Sequence, residues 1–352
     1  MDPATAAYVH GYSRHEGRRL SDQADTLAGL LQAGTAYPAG ARVLEVGCGV
    51  GAQTVHLVAA SPQARIVAID VSDDSLARAR ARVSAQAPRT GVEWRRADLF
   101  DLPFADAAFD HLFVCFVLEH LPDPARALAG LRRVLRPGGT ITVIEGDHGS
   151  AFFHPDSPQA HAAIGCLIRL QHAAGGNALL GRQLQPLLAA AGYRDIVARP
   201  RTVYADQTRP ALVEGFTRNT FIAMIEPVRD DALAAGLITA AAWDRGIADL
   251  RRTAAYGGTF HYTFVKAVAV NPPATANPSA GDPASSPAAT DPASDTAATD
   301  TAATDTAATG AASSADAWQL RSSVGADTEP DGQGQAADPD EDAKPAGGQP
   351  AH

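Results

Sequence analysis

The chain has 352 residues, room for one large domain or two small ones, and a formal net charge of −10. The charge is local: residues 272–352 carry 13 of the 39 acidic and 2 of the 29 basic residues, so that tail stands at −11 and the remainder at +1. A nearly neutral folded part gives no electrostatic case for a nucleic-acid partner, and an acidic tail poor in large apolar residues is expected to be disordered.

Residues 1–36 come first. Ala24, Leu27, Leu30 and Leu31 lie at helical spacing and predict a helix over 21–31. The stretch before it, Tyr8-Val9-His10-Gly11-Tyr12-Ser13-Arg14-His15-Glu16, holds two tyrosines and two histidines in a short polar run. It reads either as a lid over a ligand site, since lids are drawn from mobile segments, or as an N-terminal helix docked by its aromatics. Pro38 and Gly40 then break the chain.

Val43, Leu44 and Val46 form an apolar run ahead of Gly47, Gly49 and Gly51, the pattern of a buried strand (42–46) turning into a helix (about 51–60). Glycine permits unusual dihedrals and close approach of a ligand to the backbone, and a helix start offers unpaired N–H groups. Strand two, 65–70, is a continuous apolar run of the kind found in buried parallel strands. It ends in Asp70, 19 residues beyond Gly51. An acidic residue there can accept both ribose hydroxyls of a nucleotide. The other reading is a helix N-cap, for which Ser72 and Asp73 compete.

A helix over about 74–87 leads to strand three, 92–96, with Asp98 and Leu99 just past its end. Asp98 either bonds an adenine amine or is a loop carboxylate. Phe109–Cys115 reads as strand four, followed by Phe116-Val117-Leu118-Glu119-His120-Leu121-Pro122. Leu128, Leu131, Val134 and Leu135 predict a helix, stopped by Arg136-Pro137-Gly138-Gly139, and 140–145 is strand five. Five β-α repeats call for a parallel sheet with helices on both faces and a ligand beyond the carboxyl ends of the strands. Glu45, Asp70, Asp98, Cys115 and Glu145 all fall at such ends.

Taken together, Val43-Leu44-Glu45-Val46-Gly47-Cys48-Gly49-Val50-Gly51, Asp70, Ala97-Asp98, Phe109-Asp110, Leu118-Glu119-His120-Leu121 and Leu135-Arg136-Pro137-Gly138-Gly139 resemble the class I S-adenosylmethionine-dependent methyltransferases over about residues 40–145. The resemblance implies a doubly wound, Rossmann-like, seven-stranded, mostly parallel sheet whose last strand is antiparallel. It implies S-adenosyl-L-methionine as cofactor. Gly47, Cys48, Gly49 and Gly51 would run beside its methionine part, Asp70 would hold the ribose, and Asp98 with Leu99 the adenine. Cys115 and Phe116 would line the methyl-bearing side. Tyr12, Glu45, Gln53 and Val71 complete the implied donor site, with Glu119 and Glu145 toward the substrate. A nicotinamide-dependent oxidoreductase fits less well, because the glycines run G-x-G-x-G with Ala52 next rather than G-x-G-x-x-G. A non-catalytic protein that binds the cofactor as a ligand is the other alternative.

Past strand five, Asp147 and His148 are candidates to orient or deprotonate a substrate, or belong to a polar turn, and His120 has the same two readings. The sequence then predicts an added helix within 155–178, a helix over 181–192, strand six over 193–204, and a last strand over 258–270. The fifty residues between the last two strands, 205–257, read as a helical insertion that packs as core or caps a substrate pocket. The expected organisation is therefore an N-terminal helical lid segment (1–36), a methyltransferase domain (37–271) with cap insertions at about 150–178 and 205–257, and a low-complexity tail (272–352). In that tail Asp295, Asp300 and Asp305 each lead Thr-Ala-Ala-Thr.

The N-terminal residues lack the basic start and apolar core of a secretory signal, and no stretch approaches a membrane span. The three cysteines, Cys48, Cys115 and Cys166, are far apart and show no metal spacing. The expectation is a cytoplasmic enzyme with a small-molecule acceptor, no metal, no membrane or nucleic-acid partner, and an oligomeric state the sequence leaves open.

Overall fold

The computed structural model describes residues 14–88 and 91–273. Tyr12, the rest of the lid stretch before residue 14 and the tail beyond Pro273 lie outside the described residues.

The elements run α1 (Arg14–Leu31), β1 (Arg42–Val46), α2 (Ala52–Ala60), β2 (Arg65–Asp70), α3 (Asp73–Gln86), β3 (Val92–Arg96), β4 (Phe109–Cys115), α4 (Pro124–Val134), β5 (Leu135–His154), α5 (Pro158–Ala173), α6 (Leu184–Ala190) and β6 (Arg194–Asp206). The insertion follows as α7 (Pro210–Leu212), a π-helical segment (Val213–Ile222), α8 (Ala223–Ile225), α9 (Arg229–Ala234) and α10 (Ala240–Thr253), before β7 (Thr259–Val270). Helix starts obey their caps: Ser72, Asp123, Ser157 and Thr239 accept the N–H of Ser75, Arg126, Ala160 and Ala242 for α3, α4, α5 and α10. Ser72 thus caps α3, which leaves Asp70 to other work.

The seven strands lie in the order β3-β2-β1-β4-β5-β7-β6. β1 to β5 pair in parallel, and β7 runs antiparallel to both β5 and β6. This is the doubly wound sheet expected from the sequence. Alternation along each strand divides the core. Val43, Phe113, Cys115, Ile144 and Phe264 pack toward α1, α2, α5 and the insertion. Leu44, Val46, Leu112, Val114 and Ala267 pack toward α4 and α6.

One strand departs from expectation. β5 spans Leu135–His154, not 140–145. Leu135 already pairs with Phe109, and Arg136–Gly139 loops out before Thr140 meets His111. A second register shift lies between Asp147 and Phe152. Asp147 and His148 therefore belong to an irregular strand that pairs with β7, not to a free turn. The glycines that look like a helix stop lie within β5, where the Gly138 N–H donates to the Asn271 carbonyl at 2.7 Å.

Candidate active site

The glycine loop is shaped by packing at two positions and by open space at a third. Gly47, Gly49 and Gly51 all have positive φ, at 66°, 52° and 76°. A Cβ on Gly47 would come 2.6 Å from Val117, and one on Gly51 would come 2.9 Å from Ala79. At Gly49 a Cβ would meet nothing within 4 Å. Gly49 faces a cleft of about 650 Å³ at the carboxyl ends of β1, β2 and β4.

Asp70 is fixed in that cleft by two backbone donors, Gly49 N–H to Oδ2 and Ser72 N–H to Oδ1, both at 2.9 Å. Each oxygen keeps a lone pair for a further donor. Burial raises the Asp70 pKa against these hydrogen bonds. Across the cleft Asp98 accepts the Phe100 N–H at 2.8 Å, which orients its carboxylate next to Leu99. Val71 and Leu99 line the same space, as does Gln53, whose Oε1 accepts from Gln32 Nε2 at 2.7 Å.

Glu45 lies deepest. It is 2% exposed, and its Oε2 has no hydrogen-bond partner among the described residues. Burial pushes its pKa up to about 8. Cys48 and Cys115 line the cleft too, their thiols pushed upward by burial. Such thiols are protonated at neutral pH and act as small apolar wall groups.

β4 ends in an unusual residue. Phe116 has φ of 58°, a left-handed conformation that costs a bulky side chain roughly 1–2 kcal/mol. Its N–H is held by the Ile144 carbonyl at 2.9 Å, and its ring packs on Phe264 at 5.5 Å between centroids. The strain sets the ring as a partition: Phe116 lines the large cleft and also a second cavity of about 50 Å³ behind it.

That smaller cavity gathers a second set of charged and aromatic groups. Glu119 and His120 enter from the 3₁₀ turn Leu118–His120, with His120 Nε2 3.6 Å from Glu119 Oε1. Arg19 enters from α1, Phe216, Thr220 and Phe221 from the π-helical segment, and His148, Tyr262 and Phe264 from β5 and β7. Tyr262 Oη and His148 Nδ1 share a hydrogen bond of 2.7 Å. Burial, then the Arg19 charge, lowers His120 to about 4, and burial with the His120 and Arg19 charges lowers His148 to about 3. Both imidazoles are neutral at pH 7. Burial moves Glu119 the other way, up from the ordinary carboxylate range.

Two expected site residues lie elsewhere. Asp147 is locked to Arg182 through two contacts of 2.7 Å and accepts the Gly149 N–H. Glu145 Oε1 accepts the N–H groups of Val117 and Leu118 at 3.1 and 2.8 Å. Neither is among the described residues that line the two cavities. Glu145 holds the turn that carries Glu119 and His120, and Asp147 ties β5 to the segment before α6. The sequence puts both near the carboxyl end of strand five; in the structure they pair in register with Val265 and Thr263 of β7, and the contacts just given take up their carboxylates. Sequence reasoning missed Arg19, Gln23 and Leu20 on α1, and the aromatic residues of the insertion and β7. Helical spacing over 14–31 and the Phe-Tyr-Phe alternation at 260–264 were visible signals of burial, though not of this cavity.

Residues 44–143 match the methyltransferase domain family. The chain is 34% identical over 218 residues to an uncharacterized 37.1 kDa protein of transposon TN4556 from Streptomyces fradiae, covering 61% of this chain and 59% of that one. It is 36% identical over 121 residues to the O-methyltransferase cnsE of Penicillium expansum, covering 34% and 42% of the two chains. It is 32% identical over 138 residues to the 27-O-demethylrifamycin SV methyltransferase of Amycolatopsis mediterranei, covering 38% and 49%. The aligned parts span roughly half the length of these relatives. The sheet order and the glycine loop agree with this match: residues 44–143 form a methyltransferase domain. Among the described residues no helix is long and apolar enough to cross a membrane.

Proposed function

We propose that the protein transfers the methyl group of S-adenosylmethionine to an oxygen of a small-molecule acceptor by direct in-line displacement. The observation that carries this reading is the cleft at the carboxyl ends of β1, β2 and β4. One wall is backbone left bare at Gly49, and Glu45, Asp70 and Asp98 converge on it. These groups fit the cofactor's parts. Glu45 Oε2 suits the amino-acid ammonium, the free lone pairs of Asp70 suit a ribose diol, and Asp98 with Leu99 suits an adenine edge. Cys115 and Phe116 stand on the methyl side, where the cleft meets the smaller cavity. When bound, the cofactor supplies a sulfonium methyl that is already activated. The chain's own part is to align donor and acceptor and to keep water away. An oxygen acceptor is supported by the two relatives named as O-methyltransferase and 27-O-demethylrifamycin SV methyltransferase.

Calorimetry with S-adenosylmethionine, S-adenosylhomocysteine and NADH tests the donor site. Micromolar binding of the first two is expected. Asp70→Ala should weaken it about 10- to 100-fold, the loss of one charge-assisted hydrogen-bond pair. Absence of binding, or tighter binding of NADH, overturns the reading.

A further inference from the structure

Past Ile144, the last residue of β5 that pairs with β4, the sheet continues as β5, β7 and β6 alone. The two faces of this corner differ. Inward, Phe153, Phe260 and Ala205 are at most 7% exposed and share a core with Phe216 and Phe221 of the insertion. Outward, the register sets Phe152, His261 and Tyr204 side by side across the three strands. Phe152 is 58% and Tyr204 41% exposed, and the Phe152 and His261 rings stack at 3.9 Å between centroids. An antiparallel sheet face that meets only water normally carries polar residues. In the neighbouring row His154, Thr259 and Asp206 follow in the same strand order and on the same face. Tyr256, 94% exposed, borders this corner, because the Gly257 N–H beside it donates to Gln207 Oε1 in the turn after β6. Phe152, Tyr204 and Tyr256 are the exposed large aromatic residues among the described ones, and all three gather here.

We propose that this outward corner seats a second copy of the chain, the two sheets packing face to face about a two-fold axis that runs along β7. A two-fold interface joins a patch to itself, so the patch must complement its own rotated image. Rotation about β7 exchanges the β5 side for the β6 side. Phe152 of one copy then meets Tyr204 of the other, His261 meets its equivalent, and His154 meets Asp206. The rings cover one another, and the carboxylate in the outer row receives a hydrogen-bond donor. Sheets packed face to face stand about 10 Å apart, a gap that such rings fill. Burial lowers the His261 pKa, so the two facing imidazoles bring no like charge together at pH 7. Outside the tail the chain stands at +1, so two copies do not repel. An extended peptide added to the outer edge of β6 is the poorer occupant. Pro200 offers no N–H there and Asp195 has φ of 53°, which interrupts the edge. Edge pairing would also leave the aromatic row in water. The contact bears on the site as well: Tyr262, next to His261 in β7, lines the smaller cavity from the opposite face of the strand.

Sedimentation equilibrium of the full chain in about 0.15 M salt, where the charge of the acidic tails is screened, tests this. The patch is small, so the expected dimer has a dissociation constant of about 1–100 µM. Phe152→Ser and Tyr204→Ser should each weaken it at least tenfold while the urea midpoint of unfolding stays close to wild type, because both side chains are exposed. The deciding arm mixes two variants. His154→Asp alone sets a carboxylate against Asp206, and Asp206→Lys alone sets an ammonium against His154, so each should dimerise at least threefold more weakly than wild type. In an equal mixture the introduced carboxylate faces the introduced ammonium on one side of the axis, and His154 faces Asp206 on the other. A heterodimer at least as tight as the wild-type dimer should form. A single-chain mass for wild type up to about 300 µM, a dimer indifferent to both serine variants, or a mixture no heavier than its two components overturns the assignment.

Discussion

The large cleft is lined mostly by residues at or just past the ends of β1, β2, β3 and β4, so most of its groups lie within a few residues of a strand end. The smaller cavity draws on α1, the turn after β4, the irregular part of β5, the insertion and β7, from Arg19 to Phe264. Its walls meet only because distant segments pack. α1 lies against the π-helical segment, where a Cβ on Gly215 would drive into the Thr26 side chain. The C-terminal end of α1 is tied to the sheet by Lys266, whose buried ammonium donates to the carbonyls of Leu31 and Ala33 and to Thr35 Oγ1. The lesson is that one half of the site is encoded locally and tolerates change elsewhere, while the other half fails whenever the packing around it moves.

The sharpest way to break this contrast is within the glycine loop itself. Gly47→Ala adds left-handed strain to a clash with Val117 and should cost about 2–5 kcal/mol of stability in urea unfolding. Gly49→Ala meets open space, so it should cost only about 1–2 kcal/mol but reduce S-adenosylhomocysteine affinity at least tenfold. Equal stability losses would mean that Gly49 is packing, not cleft wall. Next in size, Arg182→Met leaves the Asp147 carboxylate without its partner. Arg182 is half exposed, so the loss should be about 1–3 kcal/mol, with S-adenosylhomocysteine affinity unchanged within twofold. A large loss of affinity would return Asp147 to the site.

Acid and base act on the buried histidines and on Glu45 in opposite directions. His120 and His148 stay neutral in the folded protein down to about 4 and 3, whereas the unfolded chain takes up protons near 6.5. The unfolded state then binds more protons, so stability falls as pH drops from about 6.5 to 4. Glu45 keeps its proton when folded up to about 8 and releases it near 4.5 when unfolded, so its contribution falls as pH rises from 4.5 to 8. Unfolding titrations should show His148→Gln flattening the acid limb, and Glu45→Gln gaining on the wild type as pH rises from 5 to 8. A Glu45→Gln gain that does not grow with pH would mean Glu45 is ionised in the free protein.

The smallest effect concerns the tail. A chain ending at Pro273 should bind S-adenosylhomocysteine within twofold of the full chain. A chain ending at Val270 should be destabilised, because Asn271 Nδ2 donates to Leu135 O at 2.6 Å and its N–H to Gly139 O at 2.9 Å. Equal stability of the two truncations would remove Asn271 from the sheet's edge contacts.

The amino-acid sequence by itself determined the parallel half of the sheet, the groups that line the large cleft at its strand ends and the methyltransferase domain match. Apolar runs ending in glycine or aspartate are short-range signals, and their chemistry lies within two or three residues of the signal. Asp70 shows this: Ser72 takes the helix cap three residues before Ser75, and the aspartate is left facing the cleft. Tertiary structure alone decided which polar groups after β4 and β5 face a cavity. Glu119, in the turn after β4, and Glu145, within β5, are both buried acids, yet one lines the cavity and the other accepts two backbone N–H groups. That choice depends on where α1 and the insertion pack against the turn after β4. Burial and charge also decide the protonation of the buried histidines and carboxylates, and they arise from residues as far apart in the chain as Arg19 and Phe264, too far for any sequence pattern to carry.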